Sequence, residues 1–326
     1  MINLAIIGFG YWGPRILKNI ENSKLCKNVA ICDINTKVKI DKKYRFYKNY
    51  KSILNNEDID AIIIATPLNT HYEIAKYALK KNKHVWIEKP FVSNSIEAKK
   101  LIKIAKERKK IIFVDHPYIY SEAIKKVKKI VNNKNNFGEL YLYDSMRVNL
   151  GIFRGDTNVF WDLAVHDISI IKFLTEFKPI SINAMCDDNV IKKYESVGIL
   201  KILYENNFIA HINVNWLAPI KIRQTFITGS NKMLLFNDVK VADKIQVFNK
   251  GIIDNDNPEK IGYRTGSINF PKIINLEPLA NALKDFIISI KNNSQPISNG
   301  EFGLETIKIL EAISKSTKNK GKNIKF

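Results

Sequence analysis

Five short apolar runs, separated by segments with helical spacing, constrain the fold of this chain most strongly. The runs are NLAIIGF (3–9), NVAICD (28–33), AIIIAT (61–66), HVWIEK (84–89) and IIFVD (111–115). None of them alternates strictly between apolar and polar residues, which is typical of strands covered on both faces. Between them, segments such as SIEAKKLIKIAKERKK repeat apolar residues every three or four positions, as amphipathic helices do. Strand and helix in turn predict an α/β domain with a doubly wound parallel sheet.

The pattern changes after residue 117. A strand-like run (139–150) and a helix-like stretch (160–174) lead into several β-rich pieces between about 179 and 250, with Asn, Asp and Gly turns between them. Sequential strands without intervening helices predict an α+β domain with a large, mainly antiparallel open sheet. We therefore predict two domains, residues 1–117 and residues 118–326. A sheet face that no helix covers is often covered by another subunit, so we expect a homodimer or homotetramer.

The net charge of +20 raises the question of nucleic-acid binding. Lysine supplies 45 of the 52 basic residues, and the lysines are spread over helix faces without forming one stripe. Nucleic-acid sites favour arginine and cluster their charge, so we expect no nucleic-acid partner. The positive field is suited to attract an anionic substrate.

Cysteine content and hydropathy favour a reducing, non-membrane setting. The three cysteines, Cys26, Cys32 and Cys186, match no metal-binding spacing and make a poor disulfide framework. No apolar run approaches the roughly 18 to 20 residues of a membrane span, and the N-terminus has no signal-peptide pattern. We expect a cytoplasmic protein without a bound metal and without a membrane partner.

A glycine-rich motif, GxGxxG, follows the first predicted strand and consists of Gly8, Gly10 and Gly13. Glycines at this spacing permit a tight turn and close approach of the backbone to a pyrophosphate, whose charge the following helix N-terminus meets. A glycine-rich turn without a ligand is the alternative. Asp33 ends the second strand, where a carboxylate binds the adenosine ribose and repels a 2′-phosphate. NAD is therefore favoured over NADP, although Lys37 and Lys39 lie nearby.

Further polar residues follow the next strands. ATPLNTHYE (65–73) and the Glu88-Lys89-Pro90 sequence lie at the carboxyl ends of predicted parallel strands, where open α/β sheets bind their ligands. A surface ion pair at a strand end is the alternative for a lone lysine.

In the second domain, Asp162 and His166 are four residues apart in a predicted helix and project from one face. A histidine beside a carboxylate is suited to proton transfer, whereas a lone histidine on an apolar helix is more often structural.

Together, GFGYWG, ATPLNTHYEIAKYALKKNKHVWIEKP, DxxxH and the late EPL…GEFGLETIKILEAISKS closely resemble the Gfo/Idh/MocA family of nicotinamide-dependent oxidoreductases. Within that family, VDHPYIYSEAIKKVKKIV, RVNLG and NVFWDLAVHDISI resemble the branch that acts in nucleotide-sugar and surface-polysaccharide biosynthesis. The resemblance covers essentially the whole chain. It implies a Rossmann domain that binds NAD, a second domain that binds substrate, and reversible hydride transfer at a sugar carbinol carbon, at ring C3 of a nucleotide-sugar.

The resemblance also implies roles for particular residues. Lys89 would lie beside the reacting carbon, before a proline that the family often joins through a cis peptide bond, and His166 with Asp162 would face it. The residues expected at the cofactor are Gly8, Phe9, Gly10, Tyr11, Trp12, Gly13, Asp33, Thr66, Pro67, Asn69, His71, Glu88 and Lys89. Neutral His166 would accept the hydroxyl proton and Lys89 would stabilise developing alkoxide charge, while Asp162 would orient His166 or bind a neighbouring hydroxyl.

The substrate prediction depends on the loop RVNLGIFRGDTN (147–158) and on the YWG sequence. Arg154 is suited to a carboxylate or diphosphate and Asn158 to sugar hydroxyls, so with Lys89, Asp162 and His166 they form the predicted substrate set. An ordinary polar loop is the alternative. Tyr11 and Trp12 either face the substrate or pack the first helix against the sheet. Oxidation of inositol or a simple sugar, and a regulator that binds the dinucleotide without turnover, stay open as rival functions.

Overall fold

The structure is a computed structural model that describes residues 1–55, 58–151, 153, 157–188, 190, 195–253 and 262–326. The strands are β1 (Ile2–Ile7), β2 (Cys26–Cys32), β3 (Arg45–Tyr47), β4 (Ala61–Ile64), β5 (His84–Glu88), β6 (Ile112–Asp115), β7 (Leu140–Leu150), β8 (Pro179–Asp187), β9 (Val197–Tyr204), β10 (Ile209–Asn215), β11 (Leu217–Gly229), β12 (Met233–Asn237), β13 (Ile245–Phe248), β14 (Gly251–Ile253), β15 (Gly262–Arg264), β16 (Ile268–Asn269) and β17 (Ile324–Lys325). The α-helices are α1 (Gly13–Ser23), α2 (Tyr50–Leu54), α3 (Leu68–Lys80), α4 (Ser95–Glu107), α5 (Glu122–Val131), α6 (Lys134–Phe137), α7 (Val165–Leu174), α8 (Pro278–Asn292) and α9 (Gly300–Lys318). Short 3₁₀ turns span Pro117–Tyr120 and Glu205–Asn207, and a π-helical turn spans Phe160–Ala164.

The chain divides into two compact units. The first combines Met1–Tyr120 with Leu276–Lys308, and the second combines Ser121–Asn275 with Ile309–Phe326. The predicted boundary between residues 117 and 118 stays a prediction. The return of residues 276–308 to the first unit is a feature that the sequence pattern did not indicate.

The first unit contains a six-stranded parallel sheet in the order β3-β2-β1-β4-β5-β6. Its central strands are fully buried because their isoleucines, valines and alanines meet helices on both faces. The strand order reverses direction between β1 and β4, which is the point where doubly wound sheets bind ligands. The predicted parallel, doubly wound sheet is therefore confirmed.

The segment that returns to the first unit makes polar contacts with the buried residue Tyr120. The Tyr120 hydroxyl donates a hydrogen bond to Oδ2 of Asp285 in α8 at 2.6 Å, and the Asn281 side chain donates to the Tyr120 carbonyl oxygen at 3.1 Å. The Tyr120 hydroxyl oxygen also accepts a hydrogen bond from the Ser298 amide at 3.1 Å. These contacts join residues that are far apart in the sequence.

The second unit contains a nine-stranded sheet in the order β16-β13-β12-β11-β7-β10-β9-β8-β17. Only β7 and β10 pair in parallel among its described neighbours, and the other pairs are antiparallel. In β10 the side chains of Ala210, Ile212 and Val214 are buried, whereas His211 is exposed and lies on the opposite face. The predicted α+β unit with a mainly antiparallel sheet is confirmed.

Among the helices that the structure describes, none has both the length and the apolar character that a membrane crossing requires.

Candidate active site

The glycine-rich turn after β1 is shaped by its backbone. Gly8 has a φ of +92°, a region that favours glycine, and its amide donates to the Cys32 carbonyl oxygen at 2.8 Å. A Cβ at Gly8 would lie 2.4 Å from the Ala65 carbonyl oxygen, and a Cβ at Gly13 would lie 2.8 Å from Cδ2 of Phe9. A Cβ at Gly10 would meet no described protein atom within 4 Å. Two glycines are therefore required by the fold, and Gly10 leaves open space beside the backbone.

Helix α1 begins at the end of this turn. A proline occupies its first turn, and no side chain of a described residue caps its N-terminus. The positive end of the helix dipole and its amide groups are thus directed to the glycine-rich turn, an arrangement that suits a phosphate group.

Asp33 links the turn to the end of β2. Its Oδ2 atom accepts a hydrogen bond from the Phe9 amide at 2.6 Å, and its Oδ1 atom accepts one from the Asn35 amide at 2.7 Å. The side chain is only half-buried. The carboxylate is thus fixed by backbone amides at the place where the ribose of a dinucleotide is bound in this type of sheet.

Tyr11 and Trp12 form a small surface cluster with Arg15. The Arg15 guanidinium lies 3.8 Å from the centre of the Tyr11 ring and 5.6 Å from that of Trp12, and it donates to the Tyr11 carbonyl oxygen at 3.0 Å. The Tyr11 side chain is 64% exposed. The residue of this turn that packs into the core is Phe9, so Tyr11 presents its ring and a stacked cation to solvent.

The residues after β4 adjoin the same edge of the sheet. The Thr66 and Thr70 hydroxyl oxygens are 2.6 Å apart, and Asn69 and Pro67 are exposed. His71 is 1% exposed: its Nε2 lies 2.9 Å from the Thr66 carbonyl oxygen and its Nδ1 lies 3.1 Å from that of Pro90. His71 therefore joins the loops that follow β4 and β5, and the cofactor role predicted for these residues stays a prediction.

The Glu88-Lys89-Pro90 sequence lies where β5 ends. Glu88 and Pro90 are buried, Lys89 is half-buried, and the Lys89–Pro90 peptide bond is cis. The edge of the sheet thus brings the first-unit residues predicted for cofactor binding to the ends of β1, β2, β4 and β5.

A pair of buried carboxyl groups, Glu88 and Asp115, lies at the ends of β5 and β6. Glu88 and Asp115 are register partners in β5 and β6, and their side chains share a hydrogen bond. Burial raises the pKa of Glu88 well above its ordinary value, and the neighbouring Asp115 raises it further. Burial also raises the pKa of Asp115, against the opposing effects of its bond to Glu88 and the charge of Lys89. Sequence reasoning missed this pair because a register between strands 27 positions apart is not visible in the motif.

His116 follows the pair directly. It is 1% exposed, its ring centre lies 5.4 Å from that of Phe302, and burial and then the charge of Lys89 lower its pKa to about 3. It is therefore neutral at physiological pH.

In the second unit, Asp162 lies in the π-helical turn Phe160–Ala164, and His166 lies in the first turn of α7. The Trp216 indole donates to Oδ2 of Asp162 at 3.3 Å. The predicted helix is therefore present, but its first turn is wider than an α-helical turn. Such turns occur frequently at functional sites.

Asn158, predicted to bind substrate, caps this helix. Its Oδ1 accepts hydrogen bonds from the Phe160 and Trp161 amides, each at 3.1 Å, and its Nδ2 donates to Glu195. Both ends of the amide are thus engaged within the unit. Arg154, the other loop residue predicted to bind substrate, lies outside the described residues.

Helix α7 is fixed to β7 by a buried ion pair that sequence reasoning also missed. Asp167 is completely buried, and it accepts bonds from Nε of Arg147 at 2.7 Å and from the Tyr143 hydroxyl at 2.8 Å. In the sequence, the position of Asp167 directly after His166 was the feature that could have indicated this ion pair. Asp167 holds the backbone of α7 one residue after His166.

The strand order, the glycine-rich turn and the anchored Asp33 carboxylate define the first unit as a dinucleotide-binding unit of the Rossmann class. An oxidoreductase family with an NAD-binding Rossmann fold, Gfo/Idh/MocA, matches residues 2–116. Residues 2–116 therefore match the NAD-binding Rossmann domain of this family, in agreement with the resemblance found in the sequence, and the predicted cofactor, NAD, is confirmed. The open space beside Gly10 and the Asp33 carboxylate anchored at the same turn fit NAD.

Individual relatives differ in their reactions. UDP-N-acetylglucosamine 3-dehydrogenase of Acidithiobacillus ferrooxidans is 30% identical over 131 residues, 39% of this chain and 40% of that protein. Inositol 2-dehydrogenase of Rhizobium meliloti is 22% identical over 284 residues, 81% of this chain and 80% of that protein. The matched parts of several curated relatives amount to between 40% and 65% of their lengths.

An NAD-binding protein from Listeria innocua has a similar solved structure. Its TM-score is 0.81 at 22% identity, over 99% of this chain and 96% of that chain. This likeness shows that the fold of the whole chain, including the second unit, is one that solved proteins have.

Proposed function

We propose that the protein is an NAD-dependent dehydrogenase or reductase that transfers a hydride between nicotinamide and a carbinol carbon of a sugar. The observation that carries the proposal is the position of Lys89, which directly follows β5 at the carboxyl edge of the sheet that carries the glycine-rich turn. A half-buried lysine at that edge is suited to bind a substrate oxygen next to a dinucleotide.

The proposed chemistry divides between Lys89 and the π-turn helix. NAD, when bound, supplies the hydride acceptor for oxidation of the carbinol. His166 accepts the hydroxyl proton as the C–H bond breaks, and Lys89 donates a hydrogen bond to the same oxygen and stabilises its developing negative charge. Asp162 orients His166 or binds a neighbouring hydroxyl group.

For the substrate we propose a nucleotide-linked sugar, with reaction at ring C3, in surface-polysaccharide biosynthesis. The 30%-identical relative is a UDP-N-acetylglucosamine 3-dehydrogenase. The exposed Tyr11 ring with the Arg15 guanidinium stacked on it offers an aromatic face and a cation, which suit a base and a diphosphate. The inositol dehydrogenases among the relatives support the alternative, a free polyol.

The test measures nicotinamide absorbance with NAD and, in parallel, UDP-N-acetylglucosamine, other nucleotide-sugars and myo-inositol. Lys89→Ala and His166→Ala are expected to lower kcat by about 10² to 10⁴-fold with the true substrate, because general acid–base groups contribute that much. Lys100→Ala, at an exposed lysine of α4, is the matched control and is expected to keep wild-type turnover.

Turnover within a few-fold of wild type in both variants would contradict these roles. Turnover of myo-inositol alone would favour the polyol. Bound NAD that changes its redox state with none of the sugars would favour a dinucleotide-binding regulator.

We also propose that the protein is a homodimer or homotetramer that associates through the open face of the nine-stranded sheet. Several apolar side chains on this face are exposed, among them Met146, Met185, Ile199 and Phe226. Apolar side chains on adjacent strands of a sheet face are typical of a surface that a second subunit covers.

A further inference from the structure

Three ionisable side chains are enclosed at the ends of β5 and β6. Glu88 is 7% exposed, Asp115 is 3% exposed and His116 is 1% exposed. Glu88 Oε1, Asp115 Oδ1 and both ring nitrogens of His116 find no hydrogen-bond partner among the residues that the structure describes. Enclosing such groups destabilises a fold unless they share protons or charges, so their presence here calls for a function.

The pair is built to keep one proton. In adjacent parallel strands, register partners lie about 4.8 Å apart and project to the same face of the sheet. Two enclosed carboxylates at this separation repel each other, and a shared hydrogen bond needs a hydrogen on one of them. Burial raises the pKa of both carboxyls, but their interaction raises the pKa of Glu88 and lowers that of Asp115, which favours the proton on Glu88 and the negative charge on Asp115.

Lys89 is the cation that balances this charge. Its ammonium group acts electrostatically on Glu88, Asp115 and His116 alike. The other titratable groups around the pair are Tyr120, which interacts with Asp115, and Asp285, which accepts a hydrogen bond from Tyr120. His116 contributes no charge, because it is neutral, and the charge of Lys89 acts on Asp115.

We propose that Glu88 and Asp115 hold a single proton, on Glu88, and that the remaining charge on Asp115 is the counterion that positions the ammonium group of Lys89 at the reacting oxygen. Asp115 and Glu88 are then positioning residues that act through Lys89. The inference rests on the proposed role of Lys89 and adds to it the group that holds its side chain in place.

The test follows the reactivity of Lys89 directly, without substrate or turnover. The rate at which acetic anhydride acylates Lys89 is measured at one fixed pH by peptide mass spectrometry, with exposed Lys100 as the internal reference. Glu88→Gln is expected to leave this rate unchanged, since a neutral amide replaces a neutral acid. Glu88→Gln combined with Asp115→Asn removes the anion and is expected to raise the rate about tenfold, because the amine of Lys89 is no longer held by a negative charge.

A double variant with the wild-type acylation rate, or a Glu88→Gln rate raised as far as that of the double variant, would overturn the proposal. Infrared spectroscopy of the wild-type protein gives a second reading that needs no folded double variant. A protonated-carboxyl band is expected at neutral pH that shifts on ¹³C-labelling of glutamate and disappears in Glu88→Gln. A spectrum without that band refutes the shared proton. Absence of turnover with every sugar refutes the proposed function, but it does not change the acylation result or the infrared result.

Discussion

At the residue scale, Gly8 and Gly10 have different reasons to be glycine. A methyl group at Gly8 would meet the Ala65 carbonyl oxygen, at a backbone angle that side chains rarely adopt, whereas one at Gly10 would meet no described protein atom. We expect Gly8→Ala to lower the free energy of unfolding by about 1 to 3 kcal/mol or more. We expect Gly10→Ala to keep wild-type stability but to bind NAD about tenfold more weakly, because the methyl group enters the space beside the pyrophosphate.

Thermal unfolding and calorimetric titration with NAD separate these two effects. Equal melting temperatures for Gly8→Ala and the wild type would contradict the fold requirement. Unchanged NAD affinity in Gly10→Ala would show that the cofactor does not approach that backbone.

A second residue-scale prediction concerns His116. Its pKa is lowered from 6.5 to about 3, so between these values the unfolded chain binds a proton that the folded chain does not. The free energy of unfolding therefore increases as pH rises through this window, by up to about 1.4 kcal/mol per pH unit for one proton. The folded protein is more stable at the upper end of the window. His116→Asn is expected to flatten this rise, measured by urea unfolding at a series of pH values.

Asp115→Asn is a matched variant for which we expect the opposite change in the pH dependence of stability. The pKa of Asp115 is raised from 3.8 to about 6, so the folded chain binds the extra proton in that window and stability falls as pH rises. Removing this group is expected to make the net rise steeper. A pH dependence that both substitutions change in the same direction would contradict the assignment.

At the element scale, α7 depends on one buried ion pair. Asp167→Ala removes the carboxylate that meets Arg147 and Tyr143, and breaking a buried pair of this kind costs about 3 to 5 kcal/mol. The exposed Lys103–Glu107 pair of α4, with its charged atoms 3.9 Å apart, is the matched control, and Glu107→Ala is expected to cause no measurable change. Urea midpoints that fall equally in both variants would refute the anchoring role.

The strength of the sequence signal differed between elements. The long apolar runs of β1, β2, β4, β5 and β6 were predicted within one or two residues of their ends, because burial on both faces leaves a continuous pattern. β3 and β16 were not predicted, since three and two residues carry too little pattern. At the site, Glu88 and Lys89 were indicated by the unusual Glu-Lys-Pro sequence. Asp115 could not be assigned to the site from the sequence, because only the strand register places it beside Glu88.

At the scale of the whole molecule, the proposed assembly depends on the open face of the large sheet. We expect the wild-type protein to have the mass of a dimer or tetramer in light scattering. Phe226→Lys, which places a charge at a 49% exposed position of that face, is expected to yield monomers. Tyr263→Lys, at an exposed ring outside that sheet, is the control and is expected to keep the wild-type mass. A monomeric wild-type protein, or an unchanged mass in Phe226→Lys, would contradict association through this face.

The chain's two-unit organisation explains what local patterns did not indicate. The contact of Asp285 in α8 with Tyr120 spans 165 positions of the sequence. The spacing of apolar residues within a helix does not indicate a contact with a residue so distant in the sequence. The predicted domains were therefore continuous segments, while the compact units are not.

The π-helical turn at Phe160–Ala164 affects any comparison of this chain with its relatives. A π-helical turn accommodates one more residue than an α-helical turn, so residues on its two sides are out of phase by one position relative to an ordinary helix. Against a relative whose segment is α-helical throughout, a correct alignment needs a one-residue gap inside this turn. Without the gap, either Asp162 or His166 is paired with the wrong residue, and a shared pair of functional side chains would be recorded as lost.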